Sequence, residues 1–377
     1  MTLRVLGSLA DIPAERWDAW VPDDNPFLRH GFLSALEDSG SVGAARGWQP
    51  AHALWQDARG EPVAAMPGWL KTHSRGEYVF DQGWAEAAWR AGIDYYPKWL
   101  SAIPFTPITG PRLLGDASVA ADLLQALTDC PELAGVSGWH INFTPPDDDA
   151  LFGYDPDWLP RQDCQYHWQN PGYASFADFL AALRSDRRKK IRQERQRLAG
   201  EGLAFEWLGG SAVSDVLLGD LYACYAMTYR VRGQRPYLTP TFFRLLCERL
   251  GDVVQWLCVR RDGQVIAMAM FLRGSQTLYG RYWGALEDVP LLHFETCLYR
   301  GIEYAIAHGF TRFDAGAQGE HKLVRGFSPV LTRSWHRLRH PGLQRAVGDF
   351  LQRERAAVAD YRERAEVACP YRRDASG

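Results

Sequence analysis

A glycine-rich loop around residue 320 carries the densest group of reactive side chains in this chain. Gly316 and Gly319 let the backbone approach a ligand closely or adopt positive φ. A basic loop can hold a phosphate or a carboxylate, and an acid or imidazole beside it can move a proton. The alternative is a surface loop whose charges are solvated. We predict that Glu320, His321 and Lys322 are catalytic and that Gln318 and Arg325 bind substrate.

A strand and helix upstream of this loop add a second group of candidates. The stretch 279–284 alternates Tyr279, Arg281 and Trp283 on one strand face, which is typical either of a groove wall or of an edge strand with packed aromatics. The following helix begins near His293 and Glu295, where a carboxylate also suits the helix dipole. Cys297 on that helix is more typical of a core cysteine than of a nucleophile. We predict that Arg281, Trp283, His293 and Glu295 bind substrate.

The first half contains one long irregular segment, 78–114, that is rich in aromatic residues, prolines and glycines. Its prolines exclude a single long helix. Long irregular stretches inside a compact domain are often functional. We therefore predict that Phe80 and Asp81 contribute to substrate binding.

A basic run at 184–197 places eight cations against Asp186 and Glu194 in a stretch with helical periodicity. Such a helix produces a local positive field that suits phosphate groups, although a solvated helix face is the simpler interpretation. We predict that Arg187, Lys189, Lys190 and Arg192 contact the phosphate of a donor substrate.

The order of glycine and aromatic residues in the second half resembles that of a known family. An amphipathic helix leads through Gly309-Phe310 into a strand that ends in Phe313-Asp314, and Lys322 and Gly326-Phe327 follow in the glycine-rich loop. This arrangement resembles the acyl-acceptor half of the FemAB-like branch of the GNAT superfamily. The motif Gly-Ala-Gln-Gly-Glu-His-Lys resembles the corresponding motif of a proteobacterial subfamily of predicted N-acyltransferases, or peptidoglycan biosynthesis/recognition proteins. The basic run resembles the helix that precedes the second acyltransferase subdomain of Fem-type transferases.

The resemblance implies an N-acyltransferase or aminoacyltransferase. Its donor would be an aminoacyl-tRNA or an acyl thioester such as an acyl-CoA, acting as co-substrate, with no permanently bound cofactor and no metal. Its partner would be a small-molecule or peptide amine acceptor, and tRNA could bind through the basic helix. Two alternatives stay open: a non-catalytic protein that recognises a peptidoglycan precursor or peptide, and a conventional acetyl-CoA-dependent GNAT acetyltransferase.

Several signatures of other enzyme classes are missing from the sequence. It contains no P-loop, no Gly-x-Ser-x-Gly elbow and no His-Glu-x-x-His helix. The glycine-rich pyrophosphate signature of simple GNAT enzymes is missing as well. Where that signature would precede a helix, the chain has Glu287, Asp288 and Pro290, which argues against acetyl-CoA as the donor.

The length of 377 residues and the 46% hydrophobic content predict two cores. The second half reads strand, two helices, three antiparallel strands, helix, strand, loop, strand, which is an α+β order. With the resemblance, this predicts a mixed α/β tandem GNAT-like fold of two mixed-sheet halves flanked by helices. The expected parts are 1–170, 171–340 with the main site, and a C-terminal helix at 341–377.

The composition places the protein in the cytoplasm. A net charge of −3 argues against a protein that coats nucleic acid with its whole surface. The seven cysteines are scattered and odd in number, which fits reduced thiols. Neither a secretory leader nor a run of 18 apolar residues is present, so no membrane span is expected.

Overall fold

The computed structural model describes residues 1–316 and 319–372, which fall into two units. Unit 1 contains Met1–Cys164 and Leu331–Asp360, and unit 2 contains Gln165–Val330 and the residues from Tyr361 on. This division differs from the contiguous parts that the sequence suggests, because the end of the last strand and most of the final helix belong to unit 1.

Unit 1 contains two sheets. The smaller sheet has the strand order β1-β3-β4-β7 with antiparallel neighbours. Its strands are β1 (Thr2–Leu6), β3 (His52–Gln56), β4 (Pro62–Met66) and β7 (Leu114–Gly115). The larger sheet has the order β15-β8-β6-β5-β2, in which β6 and β8 are parallel and the other neighbours antiparallel. Its strands are β2 (Trp48–Pro50), β5 (Trp69–Lys71), β6 (Lys98–Ser101), β8 (Gly138–Thr144) and β15 (Ser328–Leu338).

The helices of unit 1 cover these sheets. Trp99, Trp139 and Ile141 project from the larger sheet into a core that they share with Leu123 and Leu127 of α4. The apolar positions of α4 recur at helical spacing, which explains why one of its faces is buried. The helices are α1 (Ala14–Asp18), α2 (His30–Asp38), α3 (Gln82–Arg90), α4 (Ala120–Asp129) and α5 (Asp149–Phe152).

The loop after β6 closes over the end of the parallel pair in unit 1. Arg112 in this loop is fully buried and donates from Nε to the Asn142 carbonyl (2.8 Å) and from its Nη groups to the carbonyls of Gly110 (2.9 Å) and Ile108 (2.6 Å). Burial lowers the pKa of Arg112 to about 9. Because these buried carbonyl groups would otherwise lack donors, the guanidinium fixes this irregular loop against β8.

Unit 2 is built on one sheet with the order β10-β11-β12-β13-β14-β9. The β13–β14 pair is parallel and the other neighbours are antiparallel. This is the predicted meander followed by a β-α-β crossover. The strands are β9 (Leu159–Gln169, which begins in unit 1), β10 (Leu203–Gly209), β11 (Val254–Arg261), β12 (Gln264–Arg273), β13 (Thr277–Ala285) and β14 (Arg312–Asp314).

The β11–β12 hairpin confirms its predicted turn. Asp262 and Gly263 form the two-residue connection and have φ values of 50° and 81°. Asp-Gly tolerates two successive positive φ values, which the type I′ turn of a tight hairpin requires.

The helices of unit 2 differ from the prediction in one place. The segment 176–198 is expected as one helix, but Leu183 and Arg184 adopt extended ψ values of 156° and 149° and divide it. The helices are α6 (Phe176–Ala182), α7 (Ser185–Ala199), α8 (Asp215–Arg230), α9 (Pro240–Leu250), α10 (Leu292–Phe294), a π-helical segment (Glu295–Tyr299), α11 (Arg300–Ala307) and α12 (Pro341–Ala368, which begins in unit 1). Among the described residues, none of the helices combines the length and apolarity needed to cross a membrane.

Helix α8 lies so close to β13 that one position must be glycine. A Cβ at Gly284 would stand 1.9 Å from the carbonyl oxygen of Cys224. The Thr228 hydroxyl donates to the Trp283 carbonyl at 2.7 Å beside it. The close approach therefore fixes β13 against α8 just where β13 carries the predicted site residues.

Replacing Gly284 by alanine should lower the stability of unit 2 by about 1–3 kcal/mol, because the added methyl group overlaps backbone. Gly219 lies on the same helix with open space around its Cβ position. Gly219→Ala should therefore stabilise by roughly 0.5–1 kcal/mol through helix propensity. Urea unfolding of the full-length variants measures the expected loss of stability in Gly284→Ala and the expected gain in Gly219→Ala. Equal midpoints for Gly284→Ala and wild type would contradict the packing argument.

Candidate functional site

The parallel pair of unit 2 is short, and its two strands separate beyond it. β13 and β14 are paired at 277–279 and 312–314. A cavity of about 80 Å³ lies past this pairing, and Gly280, Ala315, Trp283, His293 and Cys297 are among its lining residues. Ligands of open mixed sheets commonly bind where neighbouring strands diverge at their carboxyl ends. We call this space the splay cavity.

A β-bulge places Arg281 at the edge of the splay cavity. The register between β12 and β13 shifts so that Met270 is opposite Tyr282 and Phe271 is opposite Gly280. Arg281 is the extra residue. Bulges redirect a side chain and increase the local twist of a strand, which contributes to the separation of β13 from β14.

The guanidinium of Arg281 forms a buried two-point ion pair with Asp314, the last residue of β14. The Nη2–Oδ2 and Nη1–Oδ1 distances are 2.7 and 3.1 Å, and both side chains are at most 3% exposed. Burial alone would raise the pKa of Asp314, but Arg281 and the neighbouring His167 hold it well below its usual range. Asp314 also accepts the amide N–H of Gly316 at 2.8 Å. The pair thus links the bulge to the beginning of the glycine-rich loop.

The ammonium group of Lys322 holds the backbone at the start of that loop. Nζ donates to the carbonyl oxygens of Ala315 (2.8 Å) and Gly316 (2.7 Å), and the residue is 5% exposed. Burial, with help from Arg281, lowers the pKa of Lys322 to about 8. Gly316 and Gly319 have φ values of 85° and 118°, which confirms the conformation expected of these glycines.

Two imidazoles stand beside the cavity. The ring centroids of His293 and His321 are 6.0 Å apart, and Trp283 lies 5.5 Å from His293 on the other side. Burial and the nearby His321, Lys322 and Arg325 lower the pKa of His293 to about 4. His293 is therefore neutral at physiological pH and can accept a proton. Burial also lowers the pKa of His321.

The thiol of Cys297 also faces the splay cavity, with a different electrostatic character. Burial raises the pKa of Cys297 well above its usual range, and Lys322 offsets only part of this effect. A thiol that stays protonated is a poor nucleophile.

Comparison with known proteins decides the family. A sequence model of the FemAB-like family, described as peptidoglycan biosynthesis/recognition, matches residues 8–373. The chain belongs to the FemAB-like family. No curated protein shows significant sequence similarity to it.

Solved structures support the FemAB-like fold. FemX is similar with a TM-score of 0.54 and 12% identity, covering 92% of this chain and all of FemX. A domain described as the C-terminal domain of a lysylphosphatidylglycerol synthetase from Agrobacterium fabrum has a TM-score of 0.54 and 13% identity, covering 92% and 96% of the two chains. L-PGS from Bacillus licheniformis has a TM-score of 0.50 and 10% identity, covering 88% and 98%. The prediction of a mixed α+β fold with two GNAT-like halves is confirmed.

The predicted loop residues of this FemAB-like protein are only partly brought to the cavity. His321 lies beside His293, and Lys322 contacts the backbone of Ala315, which lines the cavity. Glu320 is exposed and accepts a hydrogen bond from the Tyr361 hydroxyl at 3.0 Å. Gln318 lies outside the described residues. The catalytic and binding roles of these residues stay predictions.

Arg325 and Glu295 are held inside the protein by ion pairs. Arg325 is 5% exposed and reaches both carboxylate oxygens of Glu194 at 2.9 and 3.0 Å, while its Nε donates to the Tyr299 hydroxyl at 2.9 Å. Glu295 is 3% exposed, and both of its oxygens accept from Arg195. These contacts give the two residues structural partners. Their predicted contact with substrate is untested.

The predicted residues of the first half lie in unit 1. Asp81 is buried, pairs with Lys98 and accepts the hydroxyl of Tyr95 at 2.6 Å. Burial opposes the charge of Asp81, but Lys98 keeps its pKa well below the usual range. Phe80 is 48% exposed and has a φ of 55°, a strained value for an aromatic residue.

The basic helix α7 presents different residues on its different faces. Ile191, Glu194 and Leu198 are buried against the core of unit 2. Of the four predicted phosphate contacts, Lys189, Lys190 and Arg192 are exposed and Arg187 is half-buried beside Asp186. The exposure of these side chains is consistent with phosphate binding, and it is the only property of theirs that bears on this role.

Sequence reasoning missed the partners that hold the site together. Asp314 is recognisable as the end of the Phe-Asp strand motif, but nothing in the sequence identifies Arg281 as its partner. His167 comes from β9, opposite Asp314 in the register. Glu194 carries a usable signal, because a lone acid at helical spacing from Ile191 and Leu198 indicates a buried counter-ion.

The low pKa of His293 predicts that the stability of the folded chain depends on pH. Below about pH 6.5 the unfolded chain protonates this imidazole, whereas the folded chain does so only near pH 4. Folding stability attributable to His293 is therefore lost as the pH falls through that window. Urea unfolding of His293→Gln should show a shallower loss of stability between these pH values than wild type. Parallel curves for the two proteins would contradict the low pKa.

Proposed function

We propose that this FemAB-like protein transfers an acyl or aminoacyl group from an activated donor to an amine, with the reaction at the splay cavity. The observation that carries the proposal is a neutral imidazole, His293, on the wall of a cavity where two parallel strands diverge. The family description, peptidoglycan biosynthesis/recognition, supports an amine on a peptidoglycan precursor or peptide as the acceptor.

The residues of the cavity suit direct attack by the amine. His293 is unprotonated at neutral pH and lines the cavity, so we assign to it the proton that the attacking nitrogen must lose. The Lys322 ammonium, fixed to the Ala315 carbonyl, supplies positive potential as negative charge develops on the carbonyl oxygen of the donor. Cys297 stays protonated, so a covalent acyl-enzyme is not part of the mechanism.

The donor is an aminoacyl-tRNA or an acyl thioester, and α7 is the proposed contact for its phosphates. Arg187, Lys189, Lys190 and Arg192 support this role by their exposure. We place the reaction in the cytoplasm, which the seven unpaired cysteines support.

Turnover tests the proposal most directly. Wild type should deacylate an aminoacyl-tRNA or a dodecanoyl thioester only when an amine-bearing peptidoglycan peptide is present. His293→Gln should reduce kcat by about 10²–10⁴, the usual contribution of a general base. Cys297→Ala serves as the matched cavity variant and should retain most of the activity. Binding of the peptide without turnover of any donor would instead identify a recognition protein, and an acyl group trapped on Cys297 would contradict direct attack.

Acetyl-CoA should bind weakly, with a dissociation constant of about 1 mM or higher, roughly −4 kcal/mol. The helix after β13 begins beyond Glu287 and Asp288, which repel a pyrophosphate, and Pro290 lacks an amide donor. Two amides at its start are already used, because Leu292 N–H and Phe294 N–H donate to the carbonyls of Val289 and Leu291. Calorimetry measures the affinity. A micromolar constant would establish a conventional acetyltransferase instead.

A further inference from the structure

Unit 2 contains a second, larger cavity whose walls differ from those of the splay cavity. It has a volume of about 570 Å³ and lies between α6, α7, β10 and the helix that carries Glu295 and Arg300. The two cavities have no lining residue in common. Its volume is in the range of small-molecule sites. We call it the α7 cavity.

One stripe of the basic helix forms a wall of the α7 cavity. Residues spaced three or four apart share a helix face, and four of the five residues of α7 that line the cavity are related by this spacing. They are Arg192, Arg195, Gln196 and Ala199. The fifth is Leu198, three residues after Arg195. The adjacent stripe contains Glu194, whose ion pair with Arg325 anchors the helix to the core. The orientation of the wall is therefore fixed.

An ion pair with Glu295 and contact with an aromatic ring hold Arg195 and Arg300 in place. Arg195 donates to both oxygens of Glu295 at 2.9 and 3.0 Å, and Arg300 Nε donates to the same carboxylate at 2.9 Å. Arg195 lies over the ring of Phe176 at 4.7 Å, and Arg300 lies over Phe205 at 4.5 Å. Guanidinium groups fixed by an ion pair and a ring lose little further freedom when they bind a ligand.

The wall keeps donors for a ligand. Within residues 1–316 and 319–372, Arg192 makes no hydrogen bond or ion pair, and the terminal nitrogens of Arg300 make none either. Glu295 and Glu303 neutralise two of the three arginines. The cavity therefore keeps one positive charge beyond what its own carboxylates balance, which favours an anion.

The rest of the lining is apolar. Phe176, Leu180, Leu198, Leu203 and Phe205 form it, and three of these side chains are only half-buried. Half-buried apolar side chains around a concave space gain free energy when an apolar ligand covers them.

We propose that the α7 cavity binds an anionic amphiphile, with a phosphate or carboxylate at Arg192 and Arg300 and an unbranched apolar tail along Leu198, Leu203 and Phe205. The cationic wall and the apolar lining together select this chemistry: a free inorganic ion would leave the apolar surface uncovered, and a neutral hydrocarbon would leave Arg192 without a counter-ion. The proposal shares Arg192 with the donor contact proposed for α7, but it does not require turnover at the splay cavity.

Calorimetry with dodecyl phosphate, kept below its micellar concentration, tests the proposal on the full chain. Wild type should bind it with a micromolar dissociation constant and should not bind dodecyltrimethylammonium. Arg192→Gln should weaken binding about tenfold, as expected for the loss of one charge-assisted contact, and Ala199→Trp should block the cavity. Arg197→Gln is the matched control, because Arg197 is exposed on another face of α7 and does not line the cavity, and it should bind like wild type.

Three outcomes would overturn the proposal: no binding of dodecyl phosphate, equal binding of the cationic analogue, or a loss in Arg197→Gln as large as in Arg192→Gln. Titrations with dodecanoyl-CoA and with phosphatidylglycerol vesicles then separate a soluble acyl donor from a membrane lipid as the source of the ligand. Either source supports the proposal if its binding depends on Arg192. The His293→Gln variant should bind dodecyl phosphate normally, which distinguishes failure here from failure of the proposed reaction.

Discussion

The ion pair between Arg281 and Asp314 is the interaction on which the rest of the site depends. It joins an extra residue of β13 to the last residue of β14, at the point where the two strands part. A buried ion pair of this kind contributes little net stability, but loss of one partner leaves a buried charge and costs about 3–5 kcal/mol. Its value for this protein is positional, because it sets how far the strands run together before the cavity opens.

A chain of buried polar contacts extends from this pair. Asp314 holds the Gly316 amide, Lys322 holds the carbonyl groups beside it, and Arg325 connects the loop to Glu194 on α7. The Gly316 amide, the Lys322 ammonium and the Arg325 guanidinium each donate to an acceptor, as buried polar groups require. Gly316 at the start of the glycine-rich loop and Lys322 and Arg325 further along are therefore held by buried contacts, in spite of the surface-like composition of this stretch.

The sequence was sufficient for the fold of the second half and insufficient for the contacts. The order of elements follows from periodicity, and Asp262-Gly263 specifies its hairpin by φ alone. The break at Leu183 could not be seen, since both sides of it have good helical residues. Arg281, Glu295 and Arg325 have the residue types of a binding site, but pairing with residues 33, 100 and 131 positions away decides whether each charge faces a ligand or a counter-ion. Unit 1 contains a similar example. The loop over the end of its parallel pair is fixed by Arg112, and nothing in the sequence around Arg112 indicates this role.

The π-helical segment 295–299 has a consequence for the helix that contains it. A π turn accommodates one residue more than an α turn, and each residue rotates the helix by about 100°. His293 and Cys297 face the splay cavity, while Arg300 faces the α7 cavity and Ile302 the core. Deleting a single residue within this segment would convert the π turn into an α turn and leave the later side chains facing their partners, whereas a deletion elsewhere in the helix would rotate them by about 100°. A change in the length of this helix is therefore best tolerated at the π turn, and relatives that lack one residue there should still keep Arg300 and Ile302 in place.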